Sequence, residues 1–221
     1  MVSNKSFILG RENQIRKLLI TLGCSLTYGE GTENPSKQGW PPLLCEKLGF
    51  DKLINVSGGG WSTSGIIKEL MEQVNFKEYS DWEIYVLFYL PDPTRLSFYW
   101  DKGHIQHFMI THFSDEMVYE LFHMEPDKAT KQEQIFYIKI LEQICENNHA
   151  NLTLIHSCWD TQNQLEKLYR SKYWLNPRYH ILDFDDEGHE EHTAPCNHPN
   201  EKGYKVVADR IYQVFKNRHN L

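Results

Sequence analysis

Lys17-Leu18-Leu19-Ile20-Thr21-Leu22-Gly23-Cys24-Ser25-Leu26-Thr27-Tyr28-Gly29 is the stretch that decides the fold. Its first six residues form a short apolar run closed by Gly23, the pattern of a strand buried on both faces of a parallel sheet. A turn rich in hydroxyl groups and glycine follows, so the chain leaves the strand's carboxyl end through a polar loop. Ser25 therefore stands just beyond the strand, at the edge where open α/β sheets bind their ligands.

The alternation continues outward from there. Residues 40–48, opened by Pro41-Pro42, read as a helix, and 52–56 as a second strand. Over 62–74, Ile66, Ile67, Leu70, Met71 and Val74 trace one helix face behind a hydroxyl-rich entry able to cap it. Residues 84–90 are a third strand, stopped by Pro91-Asp92-Pro93. The aromatic and histidine-rich stretch 96–127 has no clean period and reads as an insertion with one short helix at 116–122. Periodicity returns at 131–146, where Ile135, Ile138, Leu141, Ile144 and Cys145 share a face, followed by a strand at 151–156 and a helix at 162–169. A fifth strand is expected at 179–184, then a polar loop, then a closing helix over 200–215 with Tyr204, Val207, Ala208, Ile211 and Val214 or Phe215 inward. Strands alternating with helices predict right-handed crossovers and a mostly parallel sheet covered on both faces, in one domain over residues 1–221.

Composition narrows the function classes. The chain has 221 residues, 40% of them hydrophobic and 24% charged, with 13 Gly and 9 Pro, which excludes collagen-like and disordered chains. A net charge of −7 without any dense Lys/Arg segment argues against a nucleic-acid partner. The longest apolar stretch, 84–90, is far short of the ~20 residues that cross a bilayer, and the first residues carry no secretory hydrophobic core. A cytosolic or otherwise unsecreted protein is expected, with no membrane partner. The five cysteines are odd in number, widely spaced and never in CxxC, so they read as core fillers in a reducing compartment.

Three loops carry chemistry-bearing residues to the same sheet edge. Ser25 is a candidate nucleophile whose own N–H faces developing negative charge; its bland alternative is a turn serine. Asn55-Val56-Ser57-Gly58-Gly59-Gly60-Trp61-Ser62 opens a helix, and its glycines let the backbone approach a bound group. That run matches neither GxxxxGK[ST] nor GxGxxG, so an oxyanion fits it better than a phosphate. Asn197-His198-Pro199-Asn200-Glu201-Lys202-Gly203-Tyr204 sets an imidazole just before the last helix, where it could take a proton from Ser25 or simply cap and pack.

Together these segments resemble the SGNH (GDSL) hydrolases. GCSLTYG is similar to their first block, GDSxT; NVSGGGWS resembles the second, an Asn followed five residues later by an oxyanion-hole Gly; NHPNEKGY is similar to the last, DxxHPN. The likeness spans about residues 17–215 with an unmatched middle, and GCSxTYG with Trp40-Pro41 resembles a branch common in phage and bacterial genomes. It implies a three-layer α/β/α flavodoxin-like fold with a five-stranded parallel sheet in the order 2-1-3-4-5, Ser25 as nucleophile and first oxyanion donor, Gly60 as second donor, His198 as general base, and no cofactor. The implied substrate is a small ester or acylated glycan.

Two departures qualify that expectation. The third block, GxND, should supply an Asn side chain to the oxyanion, but strand three ends Tyr89-Leu90-Pro91-Asp92-Pro93-Thr94-Arg95. Asp92 could help only when protonated, leaving Thr94 or Arg95 as donors; one lost oxyanion donor costs ~10²–10³ in turnover. The acid expected three positions before His198 is also absent, since Pro195 stands there. A backbone carbonyl could instead fix the tautomer, or an acid could come from Asp183, Asp185, Asp186 or Glu187. These losses leave open a second reading, a non-catalytic SGNH domain used for binding or virion assembly.

His180, His189, His192, His198 and Cys196 crowd one edge, but the spacing is not HExxH and an acidic, histidine-rich loop is ordinarily solvated, so no metal site is expected there. His104 and His107 are read the same way. The aromatic stretch with Phe98, Tyr99, Trp100, Phe108, Phe113, Tyr119 and Phe122 could be a lid, a substrate platform or a homo-oligomer interface, with core packing as the default.

Overall fold

The computed structural model describes residues 15–93, 95–99, 105–109, 126–156, 159–175 and 189–221. Six strands occur in it: β1 Lys17–Gly23, β2 Lys52–Ser57, β3 Glu83–Leu90, β4 Arg95–Tyr99, β5 Ile105–Met109 and β6 Asn151–His156. Four of them form a parallel sheet in the order β2-β1-β3-β6, with Leu19 opposite Leu53 on one side and Tyr85 on the other. The helices are α1 Ser25–Tyr28, α2 Pro35–Gln38, α3 Trp40–Leu48, α4 Thr63–Gln73, α5 Pro126–Asn147, α6 Trp159–Leu168, α7 His189–His192 and α8 Glu201–His219, with a 3₁₀ turn at Phe76–Tyr79.

The layers follow from the period of two along each strand. Leu18, Ile20, Leu22, Val86, Phe88 and Leu154 face α4 and α5, joining Ile66, Ile67, Leu70, Ile138 and Leu141 in one core. Leu19, Tyr85, Leu87 and Tyr89 face the other way, against Trp40 and Leu44 of α3 and Val207, Ala208, Ile211 and Phe215 of α8. Each such side chain taken from water contributes roughly 1.5–3 kcal/mol, which explains why near-continuous apolar strands need helices on both faces. Local signals set the helix ends. Ser62 Oγ accepts from the Gly65 N–H at 3.2 Å to cap α4, and Asn200 Oδ1 accepts from Gly203 at 3.1 Å to cap α8. Gly49, at φ +64°, closes α3 in the left-handed region.

Two expectations change. Met71 does not join the buried stripe of α4: it is 60% exposed, whereas Leu70 is fully buried. At 3.6 residues per turn Met71 falls just past Ile67, at the edge of the stripe. The insertion is not merely a loop with a helix, since β4 and β5 pair antiparallel, Arg95 opposite Met109, and β4 contacts α4. Five-residue strands are too short for alternation to stand out. The helix expected at 116–122 and the strand expected at 179–184 lie outside the described residues. Tyr173–Leu175 runs along the outer edge of β6, where Leu154 N–H donates to Tyr173 O at 2.9 Å and Leu175 N–H to Leu154 O at 2.8 Å. Among the described residues no helix is long and apolar enough to cross a membrane.

The far end of α8 carries a pH-sensitive contact. Burial, with the neighbouring Arg218 charge, lowers the His219 pKa from 6.5 to about 4, and its Nε2 lies 2.8 Å from the hydroxyl of buried Thr153. Between those two values the unfolded chain binds a proton that the folded chain refuses, so stability falls as pH drops through that window. The melting temperature should therefore decline from neutrality toward about pH 4 less steeply in His219→Gln than in the wild type; equal slopes would remove this account.

Candidate active site

All four parallel strands point their carboxyl ends at one edge, where the loops after β1 and β2 meet the loop that precedes α8. β1 ends at Gly23, where a Cβ would stand 2.0 Å from Thr27 Oγ1 and 3.0 Å from Tyr89 O, so only glycine lets α1 and β3 close in. α1 begins at once with Ser25, 4% exposed, and ends at Gly29 in the left-handed region, whose N–H donates to Ser25 O at 3.0 Å. As the first helical residue, Ser25 has an N–H with no intrahelical acceptor.

Asn55 locks this turn to the sheet. Its Nδ2 donates to Thr27 O at 3.1 Å, while its Oδ1 accepts from Thr21 at 3.0 Å and Ser57 at 2.9 Å. Beyond it, Gly60 has φ +76° and nothing within 4 Å of where a Cβ would stand, so this loop presents open space beside the start of α4.

The last loop is a tight reversal. Asn197 N–H donates to Ala194 O at 2.9 Å, Ala194 N–H to His198 O at 2.8 Å, and Asn197 itself sits at φ 61°. Asn200 anchors the reversal through Nδ2 to Glu191 O at 2.7 Å. Gly31, at φ +99°, packs beneath it, since a Cβ there would lie 2.6 Å from Pro199 O and 3.1 Å from His198 Cβ. Tyr204 Oη donates to Glu30 O at 2.9 Å, tying α8 to the first loop, and burial pushes its phenol pKa upward so that it stays a donor.

The outcome is a close pair from opposite ends of the chain. Ser25 Oγ lies 2.9 Å from His198 Nε2, and His198 Nδ1 lies 3.2 Å from Cys196 O. A carbonyl oxygen only accepts, so Nδ1 carries the hydrogen and Nε2 is left with the lone pair facing Ser25. The hydroxyl is thus aimed at a nitrogen able to take its proton.

Asp92 is exposed at the end of β3. Arg95 N–H donates to Asp92 O at 3.2 Å, and its Nε and Nη1 are buried without a hydrogen-bond partner. Thr94, Asp183, Asp185, Asp186, Glu187 and His180 lie outside the described residues. Among the described residues no group of three or more His, Cys, Asp or Glu could hold a metal ion. Cys24, Cys45 and Cys145 are buried, whereas Cys196 is exposed. Two participants escaped sequence reading. Gln134, buried on α5, donates to Thr63 Oγ1 at 3.1 Å and Pro91 O at 2.9 Å, fastening the third loop to α4. Glu30 brings a carboxylate oxygen to 3.8 Å from His198 Nε2. Only its adjacency to GCSLTYG could have flagged it.

No protein-family model matches this sequence, and no curated protein matches it at a significant level. Solved structures do. A protein assigned to the G-D-S-L lipolytic family from Desulfitobacterium hafniense superposes with a TM-score of 0.56 at 15% identity, over 89% of this chain and 98% of that one. The chain has the SGNH, or G-D-S-L, fold. The same SGNH fold aligns with the psychrotrophic esterase EstA from Pseudoalteromonas sp., TM-score 0.53 at 16% identity, over 92% and 99% of the two chains. It also aligns with a carbohydrate esterase family 2 enzyme from Corynascus thermopiles, TM-score 0.54 at 15% identity, over 93% and 67%.

Proposed function

We propose that the protein is a serine esterase acting on a small ester, either a glycan O-acetyl group or a short acyl chain. Ser25 Oγ attacks the carbonyl carbon as its proton passes to His198 Nε2, and the Ser25 and Gly60 amides receive the oxyanion. Collapse of the tetrahedral species breaks the bond to the alkoxy oxygen, which takes the proton from His198 and leaves as alcohol. Water, deprotonated by the same nitrogen, then releases the acid from acyl-Ser25.

The observation that carries this reading is the 2.9 Å Ser25–His198 contact with the far nitrogen on the Cys196 carbonyl. Among the described residues the partner of Nδ1 is a carbonyl, which makes the pair a dyad there: it fixes the tautomer but adds no full negative charge opposite the imidazolium. Neighbours of the same fold are named as esterases, including an EstA structure inhibited by monoethylphosphonate, which is in keeping with ester chemistry at such a serine.

A neutral fluorophosphonate tests the proposal without a guessed substrate. One adduct is expected, mapping to Ser25, with the labelling rate in His198→Ala reduced on the order of 10³-fold or more. Folded protein that takes no adduct would overturn the reading and favour a binding or assembly module.

A further inference from the structure

Glu30 is built into the site by constraints that a loop side chain does not ordinarily have. Its N–H donates to Ser25 O at 3.1 Å and its C=O accepts from Tyr204 at 2.9 Å, so its backbone is tied to the serine turn and to α8 at once. Gly29 and Gly31, both at positive φ, bracket it, and Gly31 is pressed against the His198 loop. The side chain, about half exposed, extends over the pair. Its Oε2 lies 3.8 Å from His198 Nε2 and 3.4 Å from where a Cβ on Gly59 would stand. The carboxylate therefore lies between the base and the glycine loop, on the nitrogen that faces Ser25 rather than on Nδ1. It does not replace the missing orienting acid, because the Nδ1 position is taken by the Cys196 carbonyl.

That location coincides with where an alcohol must depart. The nitrogen that receives the serine proton returns it to the leaving oxygen, so that oxygen comes within hydrogen-bond reach of Nε2. A carboxylate oxygen 3.8 Å from the same atom is then a near neighbour of the carbons attached to the leaving oxygen. We propose that Glu30 sets leaving-group specificity: esters whose alcohol carries a positive charge close to the ester oxygen are favoured, and those whose alcohol carries a negative charge are rejected. This rests on the esterase reading of the Ser25–His198 pair. The effect is Coulombic and partly solvated, so each step from anionic to neutral to cationic alcohol changes kcat/KM on the order of tenfold, and added salt shrinks the spread.

The test compares three acetate esters of similar shape: acetylcholine, its uncharged isostere 3,3-dimethylbutyl acetate, and the acetate ester of 2-hydroxyethanesulfonate. The wild type is expected to rank them in that order at low salt, with the spread narrowing at high salt. In Glu30→Gln the cationic-to-anionic ratio should fall at least tenfold and lose its salt dependence, which a merely structural role for Glu30 would not produce. A flat wild-type ranking, or a ratio unchanged in Glu30→Gln, overturns the proposal. Labelling of wild-type Ser25 by the neutral fluorophosphonate separates the two claims: with labelling intact, a flat ranking removes only the specificity role, and without labelling both readings fall.

Discussion

Ser25→Ala is expected to lower ester turnover on the order of 10⁴-fold or more while leaving the fold in place. Without Oγ no acyl-enzyme forms, and what survives is water activated by His198 in a site that still offers backbone donors. Ser25 is 4% exposed, and among the described residues its hydroxyl bonds His198 Nε2 at 2.9 Å and, loosely, Cys24 Sγ at 4.0 Å. Removing one oxygen there costs about 1 kcal/mol, the net value of a hydrogen bond, so the melting temperature should shift by only a few degrees. Acetate-ester hydrolysis and a thermal melt on the same preparation check both halves. Wild-type turnover in the alanine variant would exclude Ser25 as nucleophile.

Gly31→Ala should damage the site from outside it. At φ +99° a side chain is strained whatever its surroundings, and here its Cβ would stand 2.6 Å from the Pro199 carbonyl and 3.1 Å from His198 Cβ. Backbone and imidazole must give way. The strain amounts to about 1–3 kcal/mol of lost stability, and a shift of ~1 Å in the histidine loop costs on the order of 10²-fold in kcat. Gly49→Ala is the matching control: φ is +64°, yet nothing lies within 4 Å of the added atom. It should lose about 1 kcal/mol of stability with kcat unchanged. If Gly31→Ala and Gly49→Ala behave alike, the close packing of the two loops does not govern the geometry of the pair.

The sequence made the layers legible because they rest on strong periodic signals. Leu18 to Leu22, Ile84 to Leu90 and Leu152 to Ile155 could be seen as strands buried on both faces, and their parallel pairing follows from the intervening helices. The serine after β1 and the histidine before α8 stood out in the sequence by their motifs, and they meet at 2.9 Å. What stayed hidden depends on three-dimensional closure. The partner of His198 Nδ1 is a main-chain carbonyl, and every residue has one, so no side-chain pattern could announce Cys196. Gln134 reaches Pro91 across 43 residues, a contact that helix periodicity does not encode. Glu30 carries no sequence signal of its own, because Tyr204, which pins its backbone, lies 174 residues away.

Ser25 and His198 are separated by 173 residues, and that distance has a temporal meaning. During synthesis at ~5–20 residues per second, the serine emerges roughly ten to thirty seconds before its partner histidine is added. On the proposed esterase reading, the serine lacks its His198 acceptor until α8 docks on α3, so the nascent chain does not yet form an acyl-enzyme. Reactivity toward a phosphonate would then switch on only with the final long-range closure, making the nucleophile a clock for the last step of folding.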